Sequence, residues 1–134
     1  MSEVTATAPA DALPYGVIDP DYAKIFTIAR CLAWAEGYAL MMHGSFTRDL
    51  DLLAVPWVEH ACEPEHLVRR IEEAAGLRIV VEGPGRSKPH GRRAWTLVLP
   101  GFGDPRFVDL GVMPRAPNPS PRPLPLQREE ANRE

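Results

Sequence analysis

The chain has 134 residues, of which 45 % are hydrophobic and 25 % charged, values typical of a single globular domain with an ordinary core. A net charge of −3 gives no overall attraction to nucleic acid or anionic membranes, and no apolar run approaches the roughly 20 residues of a membrane-spanning helix. Residues 1–13 lack the pattern of a signal peptide, and Cys31 and Cys62 have no metal-binding spacing, which predicts a reducing, cytoplasmic compartment.

The first element expected along the chain is a helix that begins at Pro20. Residues 1–18 are rich in Ala, Thr and Pro without a hydrophobic period, so we expect a flexible arm there. Asp19 can cap the helix, Pro20 suits its first turn, Asp21 complements the helix dipole, and Gly37 is the expected end. The apolar side chains at helical spacing are Tyr22, Ile25, Phe26, Ala29, Leu32 and Ala33.

The sequence after Gly37 predicts a second helix and several strands. Pro64 opens this helix and Gly76 ends it, with an apolar face formed by Leu67, Val68, Ile71, Ala74 and Ala75. A loop with Gly-Pro breakers and several basic side chains is expected over residues 83–93. Proline dominates the first part of residues 114–134, which predicts an extended or disordered tail. The predicted strands span residues 38–42, 49–55, 77–82, 94–99 and 106–113.

The order of these elements predicts the fold class. Strands occur in runs rather than alternating strictly with helices. This order favours an α+β two-layer fold, with a mixed β-sheet of about five strands and helices packed on one side, over a doubly wound parallel sheet. The domain is expected to span residues 19–113, between the arm and the tail.

Three aspartates on predicted strands carry the strongest functional signal. Because side chains alternate along a strand, Asp49 and Asp51 share one face while the leucines between and after them point to the core. Two carboxylates this close repel each other, and a cation between them is the usual reason for such a pair. Asp109 lies on a later, otherwise apolar strand, where an unpaired charge is costly. We therefore expect Asp49, Asp51 and Asp109 to bind a metal ion.

Residues beside the acids have the composition of an anion site. Gly44 and Ser45 form a tight turn whose free backbone N–H groups suit a phosphate. Arg48 has the planar fork that holds a phosphate oxygen, and Lys88 and Arg92 in the basic loop are further expected phosphate contacts. A cation site beside an anion site is what a metal–nucleotide complex requires.

Simpler interpretations of the same residues remain open. Asp49 and Asp51 are also compatible with solvated acids at a strand end, with Arg48 orienting Asp49. Asp109 is also compatible with an ion pair to Arg106 or Arg115. A structural role for His43, directly before the turn, is favoured over a catalytic one, and the basic loop is also compatible with simple solvation.

Gly44-Ser45, Asp49-x-Asp51 and the later Asp109 together resemble the signature of the nucleotidyltransferase-fold superfamily, which includes DNA polymerase beta and the minimal nucleotidyltransferases. The resemblance covers residues 20–113, including the order of elements, and the chain is similar to small stand-alone members on bacterial and phage genomes. Only residues 46–48 separate the turn from the acid pair, fewer than the family usually has.

The resemblance implies metal-dependent transfer of a nucleoside monophosphate from an NTP to an acceptor hydroxyl, with release of pyrophosphate. Asp49, Asp51 and Asp109 would be the catalytic residues and the ligands of Mg²⁺ or Mn²⁺, with Asp109 also a proton acceptor. Ser45 and the adjoining backbone would hold the β- and γ-phosphates. The acceptor is open between RNA, a protein side chain and a small molecule. The small domain favours a macromolecular acceptor, or assembly with a partner protein or a second copy.

Two other functions fit parts of the pattern. The short spacing before Asp49 and the small size suggest a nucleotide-binding or protein-interaction module that kept the fold without catalysis. A phosphatase with Asp49 as nucleophile is weaker, because that resemblance lacks a Gly-Ser turn before the first aspartate and normally needs a longer chain.

Overall fold

Two helices and six strands make up the described part of the chain, which covers residues 19–44, 48–101 and 103–116 of a computed structural model. The predicted N-terminal arm and residues 117–134 of the predicted tail lie outside it. Neither described helix is long and apolar enough to cross a bilayer. The elements are α1 (Pro20–Ala35), β1 (Tyr38–His43), β2 (Asp49–Pro56), α2 (Pro64–Ala75), β3 (Arg78–Ile79), β4 (Arg86–Ser87), a 3₁₀ turn (Pro89–Gly91), β5 (Arg93–Val98) and β6 (Phe107–Val112).

Helix α1 begins and ends where the sequence predicts. The Asp19 side chain accepts a hydrogen bond from the Asp21 backbone N–H at 2.8 Å, and Pro20 occupies the first turn. The helix stops before Gly37, whose φ of +94° suits glycine. The buried residues of α1 are Tyr22, Ile25, Ala29 and Ala33.

Helix α2 also follows its predicted bounds. Pro64 is its first residue, and Gly76 caps its C-terminus in the left-handed conformation at φ 70°. Leu67, Val68 and Ile71 are buried, whereas Ala74, predicted on the same face, is exposed. The apolar arc that contacts the core is centred between Leu67 and Val68, so that Ala74 lies at its margin.

The strands form one mixed sheet in the order β1-β2-β6-β5-β3, with β4 also paired to β5. The β2–β6 pair is parallel, and the other pairs are antiparallel. Both helices pack on one face of the sheet, where alternate strand residues such as Leu50, Leu52, Val108 and Leu110 enter the core. The opposite side, here called the open face, carries the other strand residues. The predicted α+β two-layer fold is confirmed, with one strand more than expected.

The additional strand arises because the predicted strand over residues 77–82 is wrong in its second half. The edge beside β5 is split into β3 and β4, which pair with opposite ends of β5. Gly83 and Gly85 have φ of +115° and +82°, and Pro84 between them has no N–H to donate. The Trp95 indole N–H donates to the Gly83 carbonyl at 3.0 Å and holds this bend in place.

Arg106 ties the start of α1 to the segment that precedes β6. Its guanidinium contacts Asp104 at 2.8 Å, Asp19 at 3.0 Å and Asp21 at 2.7 Å. These contacts raise the pKa of Arg106 further above its usual range, and hydrogen bonds from Arg106 lower the pKa of Asp104. This Arg106 cluster therefore fixes one end of the sheet relative to the helical layer.

Candidate metal and phosphate site

A row of polar side chains crosses four strands on the open face. Asp51 of β2 is directly opposite Asp109 of β6, across the parallel pair. On the outer sides of this pair, His43 of β1 is opposite Asp51, and Thr96 of β5 is opposite Asp109. Residues opposite each other on neighbouring strands point to the same face, so we call His43, Asp51, Asp109 and Thr96 the polar row.

Asp49 joins the row because it lies two residues before Asp51 on the same strand face. Burial, followed by the charge of Asp49 and a side-chain hydrogen bond with it, raises the pKa of Asp51 to about 6. The nearby Asp109 raises it slightly, whereas His43 opposes the shift. The pair therefore holds a proton more readily than isolated acids do, and a cation would replace that proton.

Gly44 brings the turn backbone against the Asp51 carboxylate. Its φ is +85°, and a Cβ added there would lie 2.4 Å from Asp51 Oδ2. The close approach requires glycine, because any side chain would push the carboxylate away. The predicted contact Ser45 lies outside the described residues.

Two arginines from the segment between β3 and β5, which includes β4, lie on the open face. Arg86 donates to Asp109 Oδ1 at 3.1 Å and to Thr96 Oγ1 at 3.0 Å. Arg92 lies over Gly111, where an added Cβ would be 2.8 Å from Arg92 Nη1. Because Gly111 follows Asp109 by two residues on β6, the Arg92 guanidinium lies on the same face as Asp109, one side-chain position further along the strand.

The expected alternative partners of Asp109 were wrong. Arg106 forms ion pairs within the Arg106 cluster, and Arg115 contacts Glu63 at 3.6 Å. The observed partner is Arg86, which the β4–β5 pairing brings close to the row.

The other two predicted phosphate contacts, Arg48 and Lys88, form hydrogen bonds through their backbone to residues outside the three aspartates. Arg48 is exposed immediately before β2, and its carbonyl accepts a hydrogen bond from the Tyr22 hydroxyl at 2.6 Å. The Lys88 backbone N–H donates to the Arg92 carbonyl at 2.8 Å. Within the described ranges, no ion pair joins the side chain of either residue to the three aspartates.

Sequence reasoning missed the positions of Arg86, His43 and Thr96. Arg86 belongs to the basic loop, but its contact depends on strand β4, which has only two residues. His43 and Thr96 enter the row through cross-strand register, which a sequence pattern without pairing information does not give. The position of His43 directly before the Gly44 turn was the one available signal.

The donor atoms fit a hard divalent cation beside an anion. Three carboxylates offer oxygen ligands of the kind that Mg²⁺ and Mn²⁺ prefer. The Arg86 and Arg92 guanidinium groups supply donors that suit phosphate.

The chain matches no protein-family model, no curated protein and no solved structure. The resemblance to nucleotidyltransferases consequently depends on the Gly44-Ser45, Asp49-x-Asp51 and Asp109 pattern. The geometry of the described members of that pattern supplies the physical basis for a functional proposal.

Proposed function

We propose that this chain is a metal-dependent nucleotidyltransferase, which moves a nucleoside monophosphate from an NTP to an acceptor hydroxyl and releases pyrophosphate. The observation that carries the proposal is the alignment of Asp51 with Asp109 across the parallel β2–β6 pair, with Asp49 on the same face. Among the described residues, no cationic side chain forms an ion pair with Asp49 or Asp51. Two neighbouring carboxyl groups without a cationic side-chain partner suit a bound metal ion.

The three aspartates share the metal in the proposed reaction, and Asp109 has a second role. Asp49, Asp51 and Asp109 would hold Mg²⁺ or Mn²⁺, which when bound neutralises triphosphate charge and polarises the acceptor hydroxyl. Asp109 accepts the hydroxyl proton as the acceptor oxygen forms its bond to the α-phosphorus. The bond from the α-phosphorus to the bridging oxygen breaks, and that oxygen leaves with pyrophosphate.

The basic side chains serve the phosphates in this proposal. Arg92 lies over Gly111 on the open face and would bind the departing pyrophosphate. The turn at Gly44 approaches the acids from the other side, and Ser45 remains the predicted contact for the β- and γ-phosphates. Arg48 and Lys88 remain proposed outer phosphate contacts.

A nucleotide-binding module without catalysis is the second candidate, and one contact favours it. The Arg86 guanidinium occupies Asp109 Oδ1, so an arginine already compensates the charge of the third acid. If this ion pair persists with nucleotide bound, Asp109 cannot serve as a metal ligand through that oxygen. The module would then bind nucleotide through the arginines and the Gly44 turn without releasing pyrophosphate.

The two candidates are separated by incubating wild-type protein with each α-labelled NTP and Mg²⁺ or Mn²⁺. Total RNA and a protein mixture are offered as acceptors, and both label transfer and pyrophosphate release are measured. Asp51→Asn keeps the side-chain volume and removes the charge, so we expect at least about 100-fold slower release. Glu59→Gln, an exposed acid on the connection between β2 and α2, is the matched control with unchanged activity.

Equal release by wild type and Asp51→Asn would contradict the catalytic role of Asp51. Thermal stabilisation by NTP without pyrophosphate release from wild type would instead support the binding module.

The acceptor and the compartment complete the proposal. The small domain favours a macromolecular acceptor or a partner that contributes acceptor contacts, such as another protein or a second copy. Cys31 and Cys62 are free thiols, which is in keeping with a reducing, cytoplasmic setting.

A further inference from the structure

A second group of metal-binding side chains lies where α1 ends and α2 begins. Glu36 follows the last residue of α1, Cys62 precedes α2, and His66 lies in the first turn of α2. One ligand atom from each residue lies within 4.8 Å of the other two. Strand β1 separates this cluster from the polar row, because it starts next to Glu36 and ends at His43, a span of ~16 Å.

The backbone holds these three residues in place. The Cys62 N–H donates to the Glu36 carbonyl at 3.0 Å, which joins the two segments directly. The Cys62 carbonyl accepts a hydrogen bond from the buried Tyr38 hydroxyl at 2.6 Å. His66 is fixed by the first turn of α2, where its N–H donates to the Glu63 carbonyl at 3.0 Å. Ligands carried on such fixed backbone need only side-chain rotation to converge.

The donor atoms of this cluster suit a softer cation than the polar row does. One thiol, one imidazole and one carboxylate are the ligand types of Zn²⁺ sites. Ligand atoms around a tetrahedral Zn²⁺ lie roughly 3.3 to 3.6 Å apart, given its usual bond lengths. His66 Nε2 already lies 3.6 Å from Glu36 Oε2. This pair is therefore close to the required spacing, and the three ligand atoms all lie within 4.8 Å of one another.

The surroundings of this cluster also fit a metal site. Arg70 Nε contacts Glu36 Oε2 at 3.2 Å, the kind of hydrogen bond that orients a ligating carboxylate. Its positive charge lowers the affinity for a cation, and it contacts the same Oε2 atom that faces His66, so the metal would share that oxygen with Arg70 or bind Oε1 after rotation of the carboxylate. The Glu36 side chain is only 20 % exposed, whereas His66 is 55 % exposed and leaves a path from solvent.

We propose that Glu36, Cys62 and His66 bind a Zn²⁺ ion through three protein ligands, with the fourth position open to solvent. On binding, the Cys62 S–H bond breaks, the proton passes to solvent, and the thiolate forms the bond to the metal. The ion links the C-terminal end of α1 to the N-terminal end of α2. This site is independent of the proposed nucleotidyl transfer and differs from the polar row in its preferred metal.

The test is titration of the reduced full-length chain with Co²⁺, which takes the ligands of Zn²⁺ and is visible by absorption. We expect a thiolate-to-cobalt charge-transfer band that Zn²⁺ abolishes by displacing Co²⁺. Cys62→Ser should remove the band, and Cys31→Ser, which changes the exposed cysteine of α1, should leave it unchanged. His66→Ala should weaken Co²⁺ binding at least about tenfold, with His60→Ala as its exposed control.

His66→Ala keeps the test decisive if Cys62→Ser fails to fold, because the His66 side chain is largely exposed. Absence of a thiolate–cobalt band in folded wild type would overturn the proposal, as would a band that survives in Cys62→Ser. Asp51→Asn should retain the band, because that residue belongs to the polar row. Loss of the band in Asp51→Asn would contradict two separate sites.

Discussion

Asp51 lies among groups that disfavour its charge. Asp49 lies two residues before it on the same strand face, Asp109 is opposite it on β6, and Gly44 covers one of its oxygens. Its pKa is about 6 in the folded chain, compared with an ordinary value of 3.8. The folded state therefore binds more protons than the unfolded state between these values, so the free energy of unfolding falls as pH rises through this range. Above about pH 6 Asp51 is ionised, and the free energy of unfolding stays lower by the full cost of that charge.

Asp51→Asn should remove this penalty and stabilise the metal-free fold at pH 7.5. Solvent reaches the half-buried pair, so we expect a gain of only about 1 kcal/mol in the free energy of unfolding. The gain should shrink towards pH 4, where wild-type Asp51 is protonated. Urea denaturation of both proteins at pH 4 and pH 7.5 measures the difference, with Glu59→Gln as control. Identical stability of Asp51→Asn and wild type at both pH values would contradict the elevated pKa.

The same residue illustrates what sequence reasoning reached and what it missed in the site. The alternation around Leu50 placed Asp49 and Asp51 on one face, because strand periodicity is a local property. The ion pair from Arg86 to Asp109 was missed, because it depends on how a two-residue strand aligns with β5. The Glu36–Cys62–His66 cluster was also missed, because its residues lie at the ends of two different helices that only the fold brings together.

At the scale of elements, the Arg106 cluster connects the helical layer to the sheet. Asp19 both caps α1 and accepts from Arg106, and its side chain is only 13 % exposed. The cap orders the first turn, while the ion pair fixes that turn against the segment entering β6. Removing the guanidinium would leave the Asp19 carboxylate largely buried without its cationic partner.

Arg106→Met keeps much of the side-chain length and removes the charge. We expect it to lower the free energy of unfolding by about 2 kcal/mol, measured by urea denaturation at neutral pH. The matched control is Arg69→Met, because the Arg69–Glu82 pair is about 60 % exposed on both side chains. This control should cost less than about 0.5 kcal/mol. Equal losses in the two variants would show that the Arg106 cluster contributes no more than a surface pair.

Elements whose ends are marked by local chemistry were predicted well. Asp19, Pro20, Pro64 and Gly76 delimit the two helices because capping and proline geometry act within one turn. The outer edge of the sheet was predicted less well. Its two short strands depend on packing of Trp95 against the bend at Gly83–Gly85, a contact between segments that the sequence alone does not bring together.

At the scale of the whole molecule, one core lies between the two helices and the sheet. Strand β6 is central, with β2 on one side and β5 on the other. Leu110 of β6 is fully buried in this core, directly after Asp109 of the polar row. Packing of the core and geometry of the site are therefore coupled through one strand.

Leu110→Ala should lower the free energy of unfolding by about 3 kcal/mol, because it leaves a cavity that the surrounding side chains fill only partly. Val81→Ala, at a position that is 71 % exposed, is the control and should change stability by less than about 0.5 kcal/mol. Both are measured by chemical denaturation followed by far-UV circular dichroism. A loss below 1 kcal/mol in Leu110→Ala would contradict the central position of β6.

The α+β class followed from the order of elements, but the sheet order did not, because strand pairing is decided by contacts between distant segments. The parallel β2–β6 pair has a consequence for synthesis on the ribosome. Asp49 and Asp51 are made early, while Asp109 lies on the last described strand. A nascent chain must release β6 from the exit tunnel and insert it between β2 and β5 before the three acids meet. A metal ion could thus bind all three acids only after β6 has entered the sheet. Its binding would therefore indicate that the sheet is complete.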